Sequence, residues 1–246
     1  MKDSEFDLAA VITDLDGTIA ETEDYHRRAY NDLFAHLGLS RRWSEQDYAE
    51  RLALVGGAKF AEIMDWLAVP EEMWDARKKT LYEWKSRRFY ELAVADVSNG
   101  ILPVRDGIVP LFGAIVDEGL MLAVASTCEK PAALAILEAA LGERLFRKLK
   151  AVCSGDDVSR KKPAPDIYLM TASECGVDPR ACLAIEDTSH GLAAAKAAGM
   201  SCIVTPSDFS SNEDFSLADA IFTTLASPHQ VTVAELTGIH KAAQPH

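Results

Sequence analysis

The sequence has no long apolar run, no paired-cysteine motif and no surplus of basic residues, and each absence narrows what the chain can be. No apolar stretch reaches the roughly 18 residues that a membrane-spanning helix needs, so no membrane partner is expected. With 25 Lys and Arg against 38 Asp and Glu, the formal net charge is −13. No sequence-wide excess of cations is available to meet the phosphates of a nucleic acid or an anionic membrane. A small anionic ligand is still admissible where a few cations converge. The five cysteines, Cys128, Cys153, Cys175, Cys182 and Cys202, are odd in number and form no CxxC pair. They read as buried thiols of a reducing compartment, and none stands in a nucleophile context. The start, Met1-Lys2-Asp3-Ser4-Glu5, is charged and unlike a secretory signal, so a cytoplasmic location is expected. There is no internal repeat and no low-complexity segment.

What is present falls into two stretches of different rhythm. The 246 residues suffice for one large domain or two modest ones, and 48% hydrophobic residues allow a full core. A short apolar run, Leu8 to Ile12, reads as a buried strand. From Glu23 to Ser98 no strand pattern occurs. Helical spacing runs instead through Tyr25–Leu37 with Gly38 at its end, Trp43–Leu54 with Ser44 as N-cap, Phe60–Leu67, and Glu71–Leu92. From Arg105 onward the pattern alternates. Helices are expected at Val109–Glu118, Pro131–Leu141, Pro165–Cys175 and Gly191–Ala198, and strands at Leu120–Ala125, Ala151–Cys153, Cys182–Ile185, Ser201–Val204 and Ala220–Phe222. Such alternation implies right-handed βαβ units and a parallel sheet. The expected fold is α/β, a parallel sheet flanked by helices with a small helical domain inserted. Residues 1–20 and 100–246 would form the core and residues 21–99 the insertion, with turn-like Asn99-Gly100 and Pro103 at the second boundary. The tail, Lys241–His246, is expected to fray.

Chemistry-bearing side chains gather where these strands end. The first run terminates in Asp14-Leu15-Asp16-Gly17-Thr18. Residues two apart in extended chain point to the same side, so both acids face one spot beyond the strand, and Gly17 lets the chain turn away. Carboxylates so close repel unless a proton or cation lies between them, and Mg²⁺ suits oxygen ligands. The plainer reading makes both acids turn formers. A second strand ends in Ser126-Thr127, which could donate to a phosphate or merely cap the next helix. In Lys161-Lys162-Pro163-Ala164-Pro165-Asp166, prolines stiffen a loop and bias Lys162 toward extended chain, unless this is only a solvated basic loop. A further strand ends in the paired acids Glu186-Asp187, followed by Thr188-Ser189, again a site or a helix cap. Each plain reading suffices alone. All four at the carboxyl ends of one parallel sheet, where open α/β sheets bind ligands, favour one shared site.

In order and spacing these motifs resemble those of the haloacid dehalogenase-type phosphotransferases. The resemblance implies a Rossmann-like core with a helical cap that closes over the active site. It implies that Asp14 is the nucleophile, forming an aspartyl-phosphate, that Asp16 is the acid and base, that Ser126 holds the phosphoryl group and that Lys162 neutralises charge. It further implies Mg²⁺ held by Asp14, the backbone carbonyl of Asp16, and Asp187, with Glu186 a ligand in some branches. The stretches Asp16–Glu23, Tyr25–Ala29, Val55-Gly56-Gly57 and Lys161–Tyr168 look closest to the CbbY-like phosphatases, which act on xylulose-1,5-bisphosphate in connection with the Calvin cycle. The resemblance runs from Leu8 to Phe215. It implies a sugar-phosphate substrate for a monomeric enzyme, with Glu21 on the sugar and His26, Gly57, Lys59 and Thr127 as further contacts.

Two departures stand out. Where the branch continues its Gly-Gly with Lys and then an Arg two further on, this chain has Ala58, Lys59 and Phe60; the usual Arg-Pro-Gly re-entry is Arg105-Asp106-Gly107. Lys59, Lys78, Lys79 and Lys85 are candidate cations for a second anionic group, or else a solvated helix face. His26 could contact substrate or be a packing residue. A β-phosphoglucomutase-like mutase remains an alternative, since its signature also has a histidine at that place. A phosphoacceptor signalling domain is a non-enzyme alternative, but such domains lack a helical insertion. A haloacid dehalogenase would not need Asp16.

Overall fold

The computed structural model describes residues 6–52, 58–226 and 230–244. Six strands form one sheet: β1 (Ala10–Thr13), β2 (Met121–Ala125), β3 (Ala151–Cys153), β4 (Cys182–Glu186), β5 (Ser201–Val204) and β6 (Ala220–Ile221). Their order is β3-β2-β1-β4-β5-β6 and every pairing is parallel. The order reverses direction at β1, between β2 and β4, the point at which the crevice of an open α/β sheet forms. β1 and β5 are buried at every position, because parallel strands are covered on both faces.

Alternation sorts the strands' side chains. Ala10 and Ile12, Ala123 and Ala125, Cys182 and Ala184, and Cys202 and Val204 share one face and pack on Ile167, Tyr168 and Ala172 of α7 (Asp166–Cys175) and on Leu192, Ala194 and Ala195 of α8 (Ser189–Ala197). The remaining helices of this unit are α5 (Ile108–Asp117), α6 (Lys130–Phe146) and α9 (Val233–Ala243). All five cysteines are free thiols and buried, as expected.

The chain divides into two compact units, Met1–Glu21 with Gly100–His246, and Thr22–Asn99. The second holds α1 (Glu23–His36), α2 (Glu45–Leu52), α3 (Ala58–Trp66), a 3₁₀ turn at Glu71–Met73 and α4 (Trp74–Ser98). Its interior is aromatic: Tyr30 lies 4.9 Å from Trp43 and 5.6 Å from Phe60, and Phe34 meets Trp43 at 4.8 Å and Trp66 at 5.4 Å between ring centroids. Ser44 is the N-cap of α2 as its sequence suggests: its Oγ accepts from Asp47 N at 3.1 Å, while its own N donates to Asp47 Oδ2 at 2.9 Å. The expected helix from Glu71 starts instead as a 3₁₀ turn and reaches Ser98, six residues beyond Leu92.

Two other expectations are corrected. α6 continues past Leu141 to Phe146, broken at Gly142 (φ 70°, ψ 161°), which is where its periodicity lapses. Of the expected frayed tail, Lys241–Ala243 belong instead to α9, and Pro245 and His246 lie outside the described residues. The first turn of α9 is closed by a capping box, in which Thr232 Oγ1 accepts from Glu235 N at 3.2 Å and Thr232 N donates to Glu235 Oε2 at 3.1 Å. Its His240 is fully buried: Nε2 lies 3.2 Å from Phe6 O and Nδ1 lies 2.7 Å from Ser201 Oγ. Among the described residues no helix is long and apolar enough to cross a membrane.

Candidate active site

The β1–β4 register assembles the site. Thr13 lies opposite Ile185, and Asp14 N carries the ladder one step further by donating to Ile185 O at 2.9 Å. The next pair across the strands is therefore Asp14 and Glu186. Both have the parity of Ile12 and Ala184, which face α7, so both acids project toward that helix. Lys162, on the loop that leads into α7, fills the space between them. Its Nζ donates to Asp14 Oδ1 at 2.5 Å and to Glu186 Oε1 at 2.6 Å. Tyr168 OH rises from α7 and donates to the same Glu186 oxygen at 2.5 Å.

Close backbone approach explains two glycines. A Cβ on Gly191 would lie 2.0 Å from the Glu186 carboxyl carbon. One on Gly17 would lie 2.2 Å from Asp187 Oδ2, and Gly17 also has φ +81°, a value that side chains resist. Asp187 is held at both oxygens: Thr18 Oγ1 donates to Oδ1 at 3.2 Å and Ser207 Oγ donates to Oδ2 at 2.9 Å.

Electrostatics follow from burial. Burial pushes the Asp14 carboxyl up to about 8, with Glu186 and Asp16 adding to the rise and Lys162 opposing it. Burial works against the charge of Lys162, yet Asp14 and Glu186 outweigh it and raise its ammonium above the usual range. Burial, then Glu186, keeps Tyr168 far above its ordinary value, so it is a donor only. Asp14, Glu186 and Asp187 can each place a carboxylate oxygen within 4.8 Å of the others. An oxygen-only set of this size suits a hard divalent cation, and the donors present fit one.

Asp16 is half-buried beside this cluster. Ser126 Oγ donates to Asp16 Oδ2 at 3.3 Å and accepts from Cys128 N at 3.0 Å, so it serves its turn as well as the acid. Thr127 is half-buried on the same turn. Glu21 is separate: its carboxylate faces Arg105 Nε at 3.2 Å and lines a cavity of about 300 Å³ with Val104, Arg105, Asp106, Thr205 and Thr224. Burial raises Glu21, and Asp208 adds to this against Arg105.

The residues expected from the helical unit group among themselves. His26 stacks on Phe89 with ring centroids 3.9 Å apart, and its Nδ1 lies 2.5 Å from Lys85 Nζ. Burial, then Lys85 and Lys59, hold His26 well below 6.5, so the ring is neutral. Burial likewise lowers Lys59, whose Nζ lies 6.0 Å from the centre of the Tyr48 ring. Gly57 lies outside the described residues.

Sequence reading assigned no role to Tyr168, Thr18, Ser207, Gly191 or Arg105. Tyr168 and Thr18 stand inside the motifs already quoted, and strand parity with one helical turn from Pro165 could have pointed Tyr168 at Glu186. Nothing local marks Ser207.

Comparison with known proteins places the chain among relatives of the same fold. The family model described as haloacid dehalogenase-like hydrolase matches residues 8–199. The CbbY protein of Rhodobacter capsulatus is 37% identical over 231 residues, covering 94% of this chain and 99% of its own. A crystal structure of a CbbY mutant from Rhodobacter sphaeroides in complex with xylulose-(1,5)bisphosphate superposes with a TM-score of 0.78 at 34% identity, over 93% of this chain and 99% of the other. A β-phosphoglucomutase structure from Clostridium difficile, at 20% identity and a TM-score of 0.76, shares the fold.

Proposed function

The chain belongs to the haloacid dehalogenase-like hydrolase family and is a phosphatase, and we propose that it is a Mg²⁺-dependent one that converts xylulose-1,5-bisphosphate to xylulose-5-phosphate through an aspartyl-phosphate. The observation that carries this reading is the buried cluster in which Lys162 bridges Asp14 and Glu186 beside Asp187. In it Asp14 attacks phosphorus, and the bond from phosphorus to the sugar oxygen breaks. Asp16 gives its proton to that leaving oxygen. It then takes a proton from the water that attacks the aspartyl-phosphate, which frees Asp14 and releases phosphate. Lys162 offsets the repulsion between the Asp14 carboxylate and an anionic phosphoryl group, and Ser126 with the N–H groups of its turn holds the phosphoryl oxygens. Mg²⁺, held by Asp14, Glu186, Asp187 and the Asp16 carbonyl, would supply the remaining charge neutralisation at the phosphoryl oxygens.

For the substrate, the resemblance implies Glu21 as the sugar contact and Lys59 and His26 as further contacts. The Gly56–Phe60 segment departs from the branch pattern, and the inward lean of Lys59 toward Tyr48 and Glu23 supports its standing in for the missing lysine. Phosphate release with Mg²⁺ from xylulose-1,5-bisphosphate, ribulose-1,5-bisphosphate, β-glucose-1-phosphate and p-nitrophenyl phosphate tests the assignment. Strong preference for the first is expected. Turnover of β-glucose-1-phosphate that requires a bisphosphate primer would instead make it a mutase, and flat activity across the panel would move the substrate elsewhere.

A further inference from the structure

Arg105 is 88 residues from Gly17 and 100 from Thr205 in sequence, and its guanidinium binds both. Nη1 donates to Gly17 O and to Thr205 O, each at 2.6 Å. Nη2 donates to Thr205 Oγ1 at 3.1 Å and to Pro206 O at 2.9 Å, and Nε pairs with Glu21 Oε1 at 3.2 Å. The side chain is only 13% exposed. Its backbone N donates to Ile19 O at 2.9 Å, so the same residue grips the turn twice.

Three segments converge on this one fork. The first is the tight turn after Asp16, closed by Gly17 N to Ala20 O at 2.8 Å and Ile19 N to Leu15 O at 2.9 Å. The second is Glu21. The third is Thr205-Pro206, which leads into Ser207, the donor to Asp187 Oδ2. A planar guanidinium can serve acceptors in fixed directions from all its nitrogens at once, whereas a lysine ammonium reaches one spot.

We propose that Arg105 is a positioning residue of the phosphatase site: it sets the turn that carries Asp16, orients Glu21 along its cavity, and through Pro206 and Ser207 keeps Asp187 in place. The kinetic side of this rests on the phosphatase reading; the structural side does not. Mutation far from the reacting atoms that misplaces a catalytic group by an ångström costs about a hundredfold.

The test uses full-length Arg105→Lys and Arg105→Ala, the lysine variant standing in should the alanine variant not fold. Amide hydrogen exchange in peptides covering residues 14–22 should quicken about tenfold or more in both, with α6 unchanged, and millimolar guanidinium should restore protection in Arg105→Ala but not in Arg105→Lys. In turnover, kcat should fall roughly a hundredfold on both xylulose-1,5-bisphosphate and p-nitrophenyl phosphate, while KM rises only for the sugar substrate, whose contact is Glu21. Unchanged kcat and KM in folded variants, or exchange that quickens evenly through the whole sheet unit, would overturn the proposal. Wild-type protein that releases phosphate from neither substrate would sink the phosphatase reading instead, and the exchange experiment would still judge the clamp.

Discussion

The two units bury polar chemistry in opposite ways. The sheet unit packs small and aliphatic side chains, Ala10, Ile12, Ala123 and Ala184 among them, and admits an acid cluster with a single lysine at its centre. The helical unit packs rings, and the charge it buries among the described residues is cationic: Lys85, its side chain 5.0 Å from the centre of the Tyr30 ring, with Lys59 half-buried and His26 neutral. Small residues let strands and helices approach closely, so backbone register decides where an acid stands. Rings give a small unit large buried area with loose demands on register, so its polar groups are set by rotamer and stacking instead. The residues proposed for bond making lie in the first unit; of those proposed for substrate recognition, Glu21 lies in the first unit and Lys59 and His26 in the second.

That division can be broken from the acid side first. Asp14→Asn should lower turnover about 10³-fold or more on every phosphate ester while leaving thermal unfolding cooperative, and chelation of divalent cations with EDTA should act alike. Normal activity after either treatment would sink the aspartyl-phosphate mechanism. Gly191→Ala should come next, because its methyl group lands on the Glu186 carboxylate and must displace Lys162 with it. A fall in kcat of about a hundredfold with nearly constant KM is the expected result, and kinetics at the wild-type level would mean that Glu186 does not set the lysine.

From the cationic side the effect should be smaller and selective. Lys59→Ala should raise KM for xylulose-1,5-bisphosphate about tenfold, the worth of one charged contact, and leave p-nitrophenyl phosphate untouched. Equal losses on both substrates would place Lys59 in the fold of the helical unit rather than in recognition.

The smallest effect concerns stability alone. Burial lowers the His240 pKa in the fold, so the neutral ring is the folded form. The unfolded chain then binds more protons near its ordinary value of about 6.5, and stability present above that pH is lost as pH falls through it. Denaturant midpoints should therefore drop between pH 8 and 5.5 in the wild type and drop less in His240→Gln. Identical pH slopes would remove His240 from the balance.

Much of this is legible in the sequence alone. The strands Ala151–Cys153 and Ser201–Val204 have the expected ends, strand-end motifs point to Asp14, Asp16, Ser126, Glu186 and Asp187, and the family resemblance points to Lys162 on its proline-stiffened loop. What escaped has specific causes. The helix Val233–Ala243 carries a legible Thr-x-x-Glu box at Thr232, but it follows a stretch without clear alternation. His26 offered two readings because a histidine on a helix face has no local sign of whether Phe89 and Lys85, some sixty residues away, will enclose it.

The sequence by itself determined the alternation of strand and helix, the place of the helical insertion and which residues end each strand, because periodicity, turns and caps act over a few neighbouring residues. Only the tertiary structure decided what those residues meet. The β1–β4 register set Asp14 beside Glu186, α7 delivered Tyr168 to it, and the fold brought Arg105 to Gly17 and Thr205 and Ser207 to Asp187. Hydrogen bonds across 18 to 100 residues leave no local trace, since either partner alone is an ordinary polar residue until the sheet closes the distance.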